Sequence, residues 1–152
     1  MNLIKDFIPE NSKCATGRKL KATTITIHWI GPFPGQTPKI VRDYWLSPDC
    51  ANSASAHFII KDDTVLQCWP IDVVAYHAGC KAGNHSSIGI EVCPENKEGK
   101  FSDKSIATLK ELLQTLPNLP LVRHFDWTGK DCPKYYVPND RWKELLKALG
   151  KD

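Results

Sequence analysis

Three runs of alternating apolar residues, TTITIHWI (23–30), HFIIKDDTVLQCW (57–69) and SSIGIEVC (86–93), are interleaved with stretches whose apolar residues recur at helical spacing. That switching of period constrains the chain to an α/β fold, in which strands share a sheet and helices pack over it. Asp62 and Asp63 interrupt the second run and predict a hairpin turn. A helix is predicted at TPKIVRDYWL, with Thr37 as cap, Pro38 in the first turn and an end before Pro48. A second covers SDKSIATLKELLQTL (102–116), with Ser102 as cap, Ile106, Leu109, Leu113 and Leu116 on one stripe, and Pro117 as stop. A third covers NDRWKELLKALG, with Trp142, Leu145, Leu146 and Leu149 at helical spacing and Gly150 as terminator. GPFPGQTP (31–38) is too short to tether two domains and reads as a loop. A chain of 152 residues, 41% of them hydrophobic, is expected to form one domain over residues 1–152.

Twenty Lys and Arg against 17 Asp and Glu give a net charge of only +3. It is spread along the chain, unlike the clustered basic stripe of a nucleic-acid binder, so no nucleic-acid partner is expected. In MNLIKDFIPENSK the apolar stretch is broken by Asp6, which predicts neither a signal peptide nor membrane insertion. Synthesis in the cytoplasm, with help to leave it, is the expectation. Cysteines 14, 50, 68, 80, 93 and 132 include no Cys-x-x-Cys pair, which argues against a ribbon or finger zinc site. Several sit in strand-like runs, where a free thiol packs as a small hydrophobe, so reduced and mostly buried cysteines are expected. Cys132 differs, because its neighbours are polar and turn-forming.

Strand parity sorts the polar residues. Ile25, Ile27 and Trp29 share one face of their strand, while Thr24, Thr26 and His28 share the other. His28 is therefore off the greasy side, where a core histidine would more naturally sit. The same count turns Ile88, Ile90 and Val92 inward and leaves Ser87, Gly89 and Glu91 on a face of small residues, with room for a ligand. A solvated strand charge is the plainer reading of Glu91.

The segment RHFDWTGKDCP (123–133) follows the short apolar run LPLVRH and places His124 eight residues before Cys132 across a Gly-containing turn. Imidazole and thiolate suit zinc, and a third ligand from a distant strand would leave the fourth tetrahedral position for water, a hydrolytic arrangement. His28 is the obvious third ligand. His57, His77, His85, Asp126 and Asp131 remain rivals.

TITIHW (24–29), SASAHFIIKDD (53–63), AYHAG (75–79), SSIGIEVCPE (86–95) and RHFDWTGKDCP occur together in one order. With these motifs the chain resembles the zinc-dependent N-acetylmuramoyl-L-alanine amidases of the amidase-2 family, particularly phage endolysin amidase domains, and more distantly peptidoglycan recognition proteins. The resemblance implies a mixed central β-sheet flanked by helices, with Zn2+ in a groove over one sheet face. It implies hydrolysis of the amide between N-acetylmuramic acid and L-alanine in bacterial peptidoglycan, at a cell wall reached after release from the host cytoplasm; a monomer is expected, although the sequence carries no signal of oligomeric state.

Carried over by motif, His28, His124 and Cys132 match the metal ligands, Glu91 the acidic catalytic residue, and Lys130 the lysine two places before the last ligand. Glu91 would move a proton from water to the departing nitrogen, and Lys130 would donate to the developing oxyanion. His77 and Asn84 match a segment that often lines the peptide groove and are expected to bind substrate. Asp126 would orient a metal ligand or close its turn. Two departures stand out. Ala56 occupies the place of a tyrosine used by some branches, which aligns the chain with the glutamate-using branch. Trp29, Ile30, Gly31 and Pro32 replace a small polar loop found in many relatives. Two other readings are a peptidoglycan-binding module without catalysis, against which Cys132 argues, and a structural zinc closed by a fourth ligand such as Asp131. Relatives of this type often carry a separate wall-binding domain. A catalytic fragment and a self-sufficient domain are both compatible with the sequence.

Overall fold

The computed structural model describes residues 1–31 and 35–152. Pro32, Phe33 and Pro34, in the predicted loop after the first histidine strand, lie outside the described residues. Six strands, β1 (Asn2–Lys5), β2 (Thr24–Trp29), β3 (Phe58–Lys61), β4 (Thr64–Gln67), β5 (Ser87–Val92) and β6 (Leu121–Arg123), form one sheet in the order β1-β4-β3-β5-β2-β6. The β3–β4 hairpin is antiparallel and every other pairing parallel, so the sheet is mixed. Its turn falls at Asp62, whose φ of 51° is one that Asp tolerates better than most residues. The helices are α1 (Pro38–Leu46), α2 (Lys81–Asn84), α3 (Asp103–Thr115), α4 (His124–Thr128) and α5 (Asn139–Leu149).

The caps are those predicted. Thr37 Oγ1 accepts from Ile40 N at 3.2 Å, Ser102 Oγ accepts from Ser105 N at 3.1 Å, and Gly150 ends α5 at φ 71°. Four of these elements go beyond the prediction: β1, β6, the single turn α2, and α4, which replaces an expected turn.

Both faces of the sheet are covered. On one, Ile25, Ile27, Phe58, Ile60, Ile88, Ile90 and Val92 pack against Leu109, Leu112 and Leu113 of α3 and Trp142, Leu145 and Leu149 of α5. On the other, Ile59, Leu66, Cys68 and Cys93 meet Val41 and Trp45 of α1 together with Ile8, Cys14 and Trp69. Phe58, Ile59, Ile60, Ile88 and Ile90 are all essentially inaccessible, which places the driving apolar burial in the central strands. The six cysteines are free thiols, five of them buried. Among the described residues no helix is long and apolar enough to cross a membrane.

Candidate active site and metal centre

Strands β5, β2 and β6 are parallel neighbours, so their carboxyl ends lie side by side at one edge of the sheet. His28 is the penultimate residue of β2 and is registered opposite Glu91, the penultimate residue of β5. Both point to the face away from the isoleucine core, as period-two parity requires. His124 follows directly on β6 and opens α4. That short helix is closed at its start by Asp126, which accepts from Arg123 N at 2.7 Å and from the Arg123 guanidinium at 2.7 Å. Trp127 pins it to the sheet by donating to Thr26 Oγ1 at 2.9 Å. Gly129 then turns the chain at φ 76°, and Phe125 N donates to the Cys132 carbonyl at 2.9 Å, which swings Cys132 back over His28.

The result is a compact set of donors. His28 Nδ1 lies 3.1 Å from His124 Nδ1 and 3.7 Å from Cys132 Sγ, and the three donor atoms all fall within 4.8 Å of one another. Glu91 Oε1 is 3.9 Å from His28 Nδ1. The three residues, Glu91 and Lys130 line one small cavity of about 110 Å³, walled by Trp29, Trp45 and Tyr76.

Burial dominates the electrostatics of the cluster. Burial, and then the neighbouring His77, His124 and Lys130, hold the His28 ring well below its ordinary range, so it is a neutral donor. Burial, and then Lys130, bring His124 down to about 4. The Cys132 thiol is pushed up to about 12, chiefly by burial and next by Glu91, while the Trp29 backbone N–H opposes the rise. Burial also lifts Glu91 to about 8 against the pull of Lys130, and Glu91 Oε2 is buried without a hydrogen-bond partner. A dication among these groups would favour the ionised form of both acids.

The donor set fits zinc. Tetrahedral zinc spaces N and N donors about 3.3 Å apart and N and S donors about 3.6 Å apart, close to the observed 3.1 and 3.7 Å. Among the described residues no fourth histidine, cysteine or carboxylate joins the set.

Of the rival ligands, none enters the cluster. His57 donates from Nε2 to the Val73 carbonyl at 2.7 Å and accepts at Nδ1 from Gly89 N at 3.0 Å. His85 caps the short α2, Asp126 is engaged by Arg123, and Asp131 is exposed. His77 and Asn84, expected to meet substrate, line an open depression beside His124 and Lys130 and are also hydrogen-bonded within the protein. Both ring nitrogens of His77 are hydrogen-bonded inside the protein, and Asn84 Oδ1 accepts from the backbone N–H groups of His77 at 2.9 Å and Ala78 at 2.7 Å. The room expected above Gly89 is filled by the His77 ring, since a Cβ at that glycine would lie 2.6 Å from His77 Cγ. Sequence reasoning did not anticipate two backbone groups that act on the site: Ala78, which favours the charged form of His124, and Trp29, which favours that of Cys132. Backbone groups leave no residue signature.

The buried histidine His57 makes a testable contribution to acid sensitivity. Its folded-state value of about 4, set by burial and only partly offset by Val73, lies below the ordinary 6.5. The unfolded chain therefore binds more protons between those values, so this stability is complete above 6.5 and is lost as pH falls through 6.5 toward 4. From pH 7 to 5 the loss is about 2 kcal/mol. In the metal-free protein Glu91 acts oppositely, because a carboxyl raised to about 8 adds stability as pH falls. The His57 share is therefore read as a difference: the decline in unfolding free energy from pH 7 to 5, by urea titration, should be about 2 kcal/mol smaller in His57→Gln than in the wild type. Equal pH dependences would refute it.

The family described as N-acetylmuramoyl-L-alanine amidase matches residues 18–135. N-acetylmuramoyl-L-alanine amidase CwlH of Bacillus subtilis (strain 168) is 34% identical over 156 residues, covering 96% of this chain and 60% of the relative. N-acetylmuramoyl-L-alanine amidase XlyA of the same strain is 33% identical over 159 residues, covering 99% of this chain and 52% of the relative. The chain thus spans little more than half the length of these two proteins. The solved catalytic domain of XlyA superposes with a TM-score of 0.84 at 32% identity, covering 99% of this chain and 100% of that one. A mutant endolysin from Bacillus subtilis superposes with a TM-score of 0.79 at 31% identity, covering 98% and 99%.

Proposed function

This chain belongs to the N-acetylmuramoyl-L-alanine amidase family, and from that premise we propose that it hydrolyses the amide between N-acetylmuramic acid and L-alanine in bacterial peptidoglycan, as an endolysin-type enzyme. The reading rests above all on one juxtaposition: two imidazoles and a thiol able to hold zinc, with a buried carboxyl and a lysine lining the same cavity. His28, His124 and Cys132 would hold the metal. When bound, zinc supplies Lewis acidity that polarises a carbonyl and makes hydroxide available near neutral pH.

Glu91 and Lys130 carry the remaining roles. The Glu91 carboxylate takes the proton from the attacking water and returns it to the departing alanine nitrogen, an amine that leaves poorly unless protonated. Burial raises its proton affinity, which favours return of the proton to nitrogen, while a cation held by His28, His124 and Cys132 would favour the carboxylate that first accepts it. Lys130, on the loop between Gly129 and Cys132, donates to the carbonyl oxygen as negative charge grows there. Ala56 is buried in the apolar cluster that includes Ile59 and Trp69 and offers no proton donor, which supports Glu91 as the proton-transfer group.

Mass analysis of digested cell walls tests the bond. Free stem peptides beginning with alanine, together with intact glycan strands, are expected. Cleaved glycan or shortened stem peptides would point to a different bond, and an unchanged wall beside tightly held zinc would favour a binding or structural role.

A further inference from the structure

Behind the metal set runs a chain of imidazoles. His28 turns Nδ1 toward His124 and Cys132, and its other nitrogen, Nε2, lies 3.0 Å from His77 Nδ1. His77 Nε2 in turn lies 2.9 Å from the Ser87 carbonyl oxygen. A carbonyl only accepts, so His77 Nε2 carries the hydrogen, and a neutral ring then has a bare Nδ1. That bare nitrogen can only accept, so His28 Nε2 must donate. The single hydrogen of the neutral His28 ring is thus held on the far side, and its Nδ1 lone pair faces the donor cluster.

Three features hold His77 where this requires it. Gly89 provides the floor: a Cβ there would sit 2.6 to 2.8 Å from the His77 ring atoms. Asn84 Oδ1 grips the His77 backbone N–H, and the His57 ring stands edge-on at 5.9 Å between centroids. The His28 and His77 planes meet at 89°, which points the N–H of one at the edge of the other.

We propose that His77 is a positioning residue of the metal site, which fixes the tautomer and orientation of His28 by accepting its Nε2–H and passing the constraint to the Ser87 carbonyl. The proposal deepens the reading of His28, His124 and Cys132 as metal ligands and rests on it. It also gives Gly89 a role: β5 can carry no side chain there, because the His77 ring occupies that space.

Three substitutions separate the acceptor from the bulk of the ring. Asn places an oxygen where Nδ1 stands. Gln keeps an amide N–H for Ser87 without an acceptor set beside His28, and Leu removes both. Cobalt(II) is titrated into the metal-free protein and followed by its visible and thiolate charge-transfer absorption, with thermal unfolding as the check on folding. His77→Leu and His77→Gln should weaken cobalt binding about 10–100-fold, the usual cost of losing such a partner, while His77→Asn stays within a few-fold of the wild type. Gly89→Ala, which displaces the ring, should match His77→Leu. Equal affinities in all variants, or an Asn variant as weak as Leu, would overturn the relay. A wild type that takes up no cobalt would instead remove the metal reading beneath it. In the zinc-loaded protein, imidazole nitrogen NMR should find His28 and His77 both as Nε2–H tautomers; a His77 carrying its hydrogen on Nδ1 would also overturn it.

Discussion

Cys132→Ser should leave the purified protein with almost no zinc after dialysis, and release of dye from labelled cell walls should fall to background. The sulfur sits 3.7 Å from His28 Nδ1 and is buried, so it cannot be replaced at the cluster by an ordinary surface donor. A serine hydroxyl is a poorer zinc ligand, and it does not ionise as a thiol does. The two remaining imidazoles are neutral and contribute no charge to hold a dication. Metal content by atomic emission and turnover measured on the same preparation make the test. A serine variant that kept both would show that the cluster is not the reactive centre.

Glu91→Gln should separate the two functions that Cys132→Ser removes together. Zinc content should stay near the wild-type value, because Glu91 is not among the three clustered donors. Cleavage should fall by about 10²–10⁴-fold, the ordinary contribution of a positioned general acid or base. Glutamine matches the shape of the carboxyl and suits its burial, so a folding defect is not expected. Thermal unfolding of the metal-free forms checks this. Near-normal turnover in the glutamine variant would transfer the proton-handling role away from Glu91.

Legibility of the fold followed periodicity. β2, β5 and the β3–β4 hairpin were readable because alternation sustained over four or more residues matches a half-buried strand and fits a helix poorly. α3 and α5 were readable because their apolar stripes recur over several turns. β1 was invisible for the opposite reason. All four of its residues are exposed, and it exists by pairing with β4 at the sheet edge. The five residues of α4 are too few to display a period, so their polar content resembled a turn.

Within the site, parity placed His28 and Glu91 on one face, and parallel register made them direct neighbours. What parity could not say was how that face is filled. Gly89 looked like space for a ligand, whereas a glycine inside a strand equally marks the close approach of another group. Here the group is His77, whose own position depends on the hydrogen bond its backbone N–H donates to Asn84 across the following loop. Side-chain pairs of this kind are set by tertiary contacts and have no spacing signature. Asp126 illustrates the same limit: its turn-closing role was one of two expected, and only the Arg123 contacts choose it.

The alignment of β5, β2 and β6 has a wider consequence. Two of the proposed reactive groups, His28 and Glu91, hang from central strands, whereas Ala54, Ser55, Tyr76 and His77 reach the cavity from the connecting segments 47–57 and 68–80. On the proposed reading, part of the chemistry and part of the rim are thereby carried by separate pieces of chain. A lineage could remodel its rim to suit another bacterium's envelope while the cutting apparatus beneath passes through unaltered.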